Sequence, residues 1–94
     1  MTQYEWDAGK AAANRRKHGI TFDQAVKAFS DPFAIERIDE SEDYGEERVN
    51  LVGICDGVIL HVTFTERGTR ARIISARRAE KHEQDDYYYR KDAT

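Results

Sequence analysis

Hydrophobic and polar positions alternate most regularly between Arg48 and Thr65. Val49 and Leu51 fall on one side of an extended segment running from Arg48 to Ile54, with Val52 and Ile54 on the other. Asp56-Gly57 is a hairpin signal, and the strand Val58 to Thr65 follows it. Along that strand Val58, Leu60, Val62 and Phe64 share one side, which is expected to face helices, while Ile59, His61, Thr63 and Thr65 share the other. Phe33 to Asp39 reads as an earlier strand. After a turn at Glu66-Arg67-Gly68-Thr69, Arg70 to Ser75 reads as a later one, with Arg70 and Arg72 on one face and Ile73 alternating with them. Short connections between successive strands favour an antiparallel meander.

The flanking segments change period from two to 3.6. Asp7 is placed to cap a helix from Ala8 to Lys17, which Gly19 ends. Thr21 with Gln24 forms a capping-box pattern ahead of a second helix, Asp23 to Phe29, whose apolar side is Phe22, Ala25, Val26 and Phe29; Asp31-Pro32 stops it. Phe22, Phe29 and Phe33 are expected in the core. A last helix is expected to begin after Ser75, to open with Arg77 and Arg78 and to extend toward Arg90. On it Ala76, Ala79 and Glu83 share a packed edge one turn ahead of Tyr87, so Glu83 needs a partner. The expectation is one α+β domain over residues 1–94, with two N-terminal helices, a four-stranded antiparallel sheet and a C-terminal helix.

Composition narrows the function classes. Hydrophobic residues make up 39% of the chain and there is one proline, which is globular rather than disordered usage. The lone Cys55 lies in an apolar run and reads as a buried small hydrophobe, fitting a reducing cytoplasm. The start MTQYEWDAG lacks the marks of a signal peptide, and no apolar run approaches membrane-spanning length, so a cytoplasmic protein without a membrane partner is expected. The histidines and the cysteine lack zinc-like spacing, and no metal or cofactor is expected.

The formal net charge is -3, but from Glu66 to Lys81 there are six Lys/Arg and two Asp/Glu, while Asp39 to Glu47 holds six acidic residues and no basic one. The local reversal suggests an anion site, with RNA phosphate or an acidic protein as candidate ligands. Arg72 and Arg77 are candidates to stabilise charge on a phosphodiester, with Arg70, Lys81 and Tyr87 in support. Cleavage of RNA without a metal needs a group to take the 2′-hydroxyl proton; Glu66 and His61 both qualify by residue type. Arginine hardly titrates, so its role there is electrostatic. A structural reading stands beside this one: Glu66 pairs with Arg72 across a hairpin, and Arg77 pairs with Glu80 or Glu83. Tyr87, Tyr88 and Tyr89 point in different directions on a helix, so only part of that cluster can form a stacking platform.

Three stretches carry a family resemblance: YEWDAGKAAANRRKHGITFDQAVKAFSDP, EERVNLVGICDGVILHVTFTERGTRARIISARRA and EKHEQDDYY. Together they closely resemble the BrnT toxin family. The resemblance implies a compact RelE-like domain that inhibits translation by cutting RNA and is neutralised by a BrnA-like antitoxin. Such an antitoxin carries a ribbon-helix-helix portion, so DNA would be reached only indirectly, through the partner. By matching positions, the resemblance places Glu66 at an acidic turn position and Arg72 and Arg77 in RIISAR as catalytic candidates, with His61, Lys81 and Tyr87 behind them. The chain departs from the common pattern at Gln84, where an arginine is usual. The alternatives are a catalytically weak member that binds antitoxin and co-represses transcription, and a phosphate-binding regulatory protein.

Overall fold

The computed structural model describes residues 3–40 and 45–93. Strand β1 (Gln3–Glu5) leads into helices α1 (Ala8–His18) and α2 (Phe22–Phe29). Strands β2 (Ile35–Asp39), β3 (Arg48–Cys55), β4 (Val58–Arg67) and β5 (Arg70–Arg78) follow, and helix α3 (Lys81–Asp92) closes the order. Among the described residues the architecture is α+β with three helices and one sheet in the order β1-β5-β4-β3-β2. The acidic segment after Asp39, through Glu46, reads in the sequence as a solvated turn; its residues Ser41 to Tyr44 lie outside the described residues.

The helix signals act as their residue types dictate. The Asp7 carboxylate accepts from Lys10 N, and Gly19, at φ 70°, closes α1 in the left-handed region. Thr21 and Gln24 form the capping box reciprocally. Asp31, just beyond α2, accepts from the backbone of Phe33 and Ile54.

The sheet corrects the expected architecture in two places. It has five strands and is mixed, because β1 pairs parallel to β5, matching Gln3 to Arg70 and Glu5 to Arg72. Three residues are too short for a periodic signal, and their partner lies at the far end of the chain. The last strand also runs on to Arg78, and α3 begins only at Lys81. Arg77 and Arg78 therefore belong to β5, paired with His61 and Leu60, rather than opening the helix. Ladder hydrogen bonds to β4 override the helix propensity of Ala-Arg-Arg-Ala.

The two faces of the sheet bury different helices. Helices α1 and α2 cover one face over Phe22, Leu51, Leu60, Val62, Phe64 and Ile73. On the other face Tyr87 of α3 and Ala79, ahead of the helix, pack against Ile59, with Ile35, Val52 and Ile54 around them. Cys55 is buried as expected. Phe33 is not a core residue: it is 39% exposed, with the Lys91 ammonium 5.4 Å from its ring centre, because the chain has turned outward after Pro32.

Candidate active site on the open sheet face

One irregularity decides which side chains meet on the face carrying α3. Between β4 and β5 the register shifts: Phe64 opposes Ile73 and Thr63 opposes Ser75, leaving Ile74 as an extra residue. Arg72 and Arg77 are an odd number apart and would point to opposite faces of a regular strand. The bulge returns both to one face, Arg72 opposite Thr65 and Arg77 opposite His61. These two partners are four residues apart along β4, a span of about 13 Å.

At the α3 end, Arg77 grips Glu83 through two bonds, Nη1 to Oε1 at 2.8 Å and Nη2 to Oε2 at 3.1 Å. His61 Nε2 lies 3.5 Å from Glu83 Oε2, and both side chains are 14% exposed. The helix start fixes this carboxylate, since Glu80 N donates to Glu83 Oε1 at 2.7 Å in the reciprocal cap that opens α3. Burial, then the Arg77 guanidinium, hold the His61 pKa below the ordinary histidine value against the pull of Glu83. Burial pushes the Glu83 carboxyl up, but its bonds from Arg77 and Glu80 N and the nearby His61 outweigh this and hold it below the usual carboxylate value. The resting cluster at neutral pH is thus a neutral imidazole beside an ionised carboxylate and a guanidinium.

This cluster borders an open groove of about 450 Å³ between β2, β3, β4 and the first turns of α3. His61, Glu83, His82, Asp86, Arg37 and Asn50 are among the side chains that line it. Arg37 Nη2 meets Asp86 Oδ2 at 2.8 Å, and Thr63 Oγ1 donates to Asn50 Oδ1 at 2.8 Å. At the other end of the face, Arg72 Nη1 meets Glu5 Oε2 at 2.8 Å, a pair that depends on β1.

The remaining sequence candidates lie elsewhere. Glu66 follows Phe64 on the α2 face and lines a separate groove with Phe29, Glu36 and Arg70, so it meets neither Arg72 nor Arg77. Arg70 is exposed beside it. Lys81 pairs with Asp85 at 2.9 Å on the outside of α3. Tyr87 is fully buried; its hydroxyl donates to Asp31 Oδ2 at 2.6 Å, and burial followed by that carboxylate raises its pKa, so it anchors α3. Arg77 does pair with Glu83, and at 3.6 Å with Glu80. Sequence reasoning named no site role for His82, Arg37, Asn50 or Asp86; the spacing of His82 from Asp86, one helical turn, was the available signal. The requirement that Glu83 find a partner was legible, and its partners are Arg77 and His61.

Among the described residues no three His, Cys, Asp or Glu side chains form a group that could hold a metal ion, and no helix is long and apolar enough to cross a membrane. No curated protein matches the chain in sequence. A family profile described as the ribonuclease toxin BrnT of type II toxin-antitoxin systems matches residues 6–83. That span runs from Trp6, just after β1, to Glu83, the carboxylate that joins His61 to Arg77, and the chain belongs to the BrnT family of ribonuclease toxins.

Proposed function

We propose that this chain is a metal-independent endoribonuclease that cuts RNA by attack of a ribose 2′-hydroxyl on the adjacent phosphate. The observation that carries the reading is the His61–Glu83–Arg77 cluster on an open sheet face, in a member of a ribonuclease-toxin family. A neutral imidazole is the form that accepts a proton, and its depressed pKa keeps His61 in that form at physiological pH. His61 takes the 2′-hydroxyl proton, and the ionised Glu83 steadies the resulting imidazolium. Arg77, and Arg72 further along the face, offer guanidinium donors to the phosphate as charge builds on it. The products are a 2′,3′-cyclic phosphate and a 5′-hydroxyl, so the substrate is RNA and not DNA. The reading gives the base role to His61 rather than Glu66, which stands on the opposite face. Arg70 and Lys81 are left as exposed cations for neighbouring phosphates, and the partner is a BrnA-like ribbon-helix-helix antitoxin whose binding arrests translation-inhibiting cleavage.

A second reading is favoured by one observation. Arg72 and Arg77 are each held by a carboxylate, as they would be in a catalytically silent module that binds antitoxin and co-represses transcription. Cleavage of a defined RNA in EDTA, with product ends mapped, separates the two. Wild type is expected to yield cyclic phosphate ends, Arg77→Ala to lose about 10²–10³-fold in rate, and His61→Gln about 10²–10⁴-fold. Equal rates in all three proteins would sink the site assignment, and absence of cleavage by folded wild type would favour the silent module.

A further inference from the structure

The proposed reaction moves two protons, and His61 accounts only for the first. When the P–O5′ bond breaks, its electron pair goes to O5′, which must gain a proton if the leaving group is to be an alcohol. The donor has to reach the same substrate, hold a proton near neutral pH and give it up easily. Arginine meets the first condition and fails the last. Lys81 points away with Asp85, and Tyr87 is buried against Asp31.

His82 is the groove-lining residue whose type suits the task. It lines the groove that His61 lines, standing on the first turn of α3 while His61 stands on β4. It is exposed, and among the described residues it makes no hydrogen bond or ion pair, unlike Glu83 beside it and Asp86 one turn on. Of the carboxylates that line the groove with it, Glu83 is engaged by Arg77 and Asp86 by Arg37, while Asp39 and Glu40 make no ion pair with His82. Imidazole is the side chain whose proton exchanges most readily near neutrality, and an unpartnered one facing a substrate groove is free to deliver it.

We infer that His82 is the proton donor to the leaving 5′-oxygen, working as the acid opposite His61 as the base. The inference rests on the nuclease reading of the same groove. The balance closes: O2′ bonds to phosphorus as His61 takes its proton, and P–O5′ breaks as His82 gives O5′ one. Solvent then returns a proton to His82 and removes one from His61.

A leaving group that needs no proton isolates this step. Purified wild type and His82→Ala are compared on two RNAs, one natural and one with sulfur in place of the bridging 5′-oxygen at the cleaved bond; a thiolate leaves unprotonated. The expected result is a loss of about 10²–10⁴-fold for His82→Ala on the oxygen substrate, with the sulfur substrate cut at close to the wild-type rate. An equal loss on both substrates would make His82 a binding or structural residue and overturn the inference, as would an unaltered rate on oxygen. His61→Gln, run alongside, should be slow on both, since sulfur does not relieve the need for a base. If wild type cuts neither RNA, the nuclease reading falls and this inference with it. A wild type that cuts while His82→Ala behaves otherwise than expected overturns the inference alone.

Discussion

Asn14 shows how much one side chain can decide. Beyond Arg72, strand β5 has no strand neighbour on its β1 side among the described residues, and the amide of the buried Asn14 takes that place. Its Oδ1 accepts from Ala76 N at 3.0 Å, while Nδ2 donates to Ala76 O at 2.8 Å and to Ile20 O at 2.9 Å. One amide therefore satisfies a strand edge and the loop after α1, at the residue ahead of Arg77. Asn14→Ala leaves three buried backbone groups without partners and is expected to cost about 2–4 kcal/mol, read as a shift in urea midpoint. Asn14→Asp should recover only part of this, because a carboxylate accepts from Ala76 N but cannot donate to either carbonyl. A midpoint unchanged in the alanine variant would mean that the edge is satisfied some other way. At this scale the sequence was readable where the chemistry is local. Asp7, Gly19, Thr21 with Gln24, and Asp56-Gly57 act within a few residues of themselves. Asn14 acts on Ala76, 62 residues away, and its position inside a basic helix gave no sign of that.

Elements were legible in proportion to their length and to how local their partners are. Strands β3 and β4 alternate cleanly and share a two-residue turn, and their faces came out as the pattern required. The end of β5 reads locally as helix, and only pairing with His61 and Leu60 makes it strand. The bulge at Ile74 is equally silent in the sequence, yet it sets Arg72 and Arg77 on one face and leaves Glu66 on the other. A constellation drawn from charge and spacing alone therefore joined residues that the sheet separates. Packing between elements has its own tight point at Gly53 on β3. A Cβ there would lie 2.6 Å from the backbone oxygen of Ala28, at the end of α2. Backbone cannot swing aside as a side chain does, so Gly53→Ala is expected to push α2 off the sheet and to destabilise by about 1–3 kcal/mol, measurable as a lowered Tm. An unaltered Tm would show that α2 has slack against β3. The site lies across the sheet from α2, so cleavage at a temperature where the variant is folded should change little.

Across the whole molecule, the two faces of one sheet divide the labour: α1 and α2 seal one side, and α3 covers only part of the other, leaving the groove. Groups that hold α3 down are among those whose ionisation differs between folded and unfolded chain. His61 has a folded pKa below its unfolded value, so the unfolded chain binds the extra proton first. Its contribution is complete above about 6.5 and is lost as pH falls toward the lower folded value. Glu83 and Asp31 are also depressed, Asp31 because the Tyr87 hydroxyl and the Phe33 and Ile54 amides outweigh the effect of burial. Their contributions are complete above the ordinary carboxylate range and disappear below it. Acid loss should therefore come in two stages, a shallow one beginning near pH 6.5 and a steeper one below about pH 4.5. Urea unfolding across a pH series would resolve them. His61→Gln should abolish the first stage while retaining the second, whose carboxylates it leaves in place, although loss of the His61 contact will soften the Glu83 part because the two groups titrate as neighbours. If His61→Gln keeps the same decline between pH 6.5 and 5, the imidazole is not buried neutral beside Glu83. The assignment of His61 as the resting base would then fail along with the first stage, since both depend on that one neutral ring.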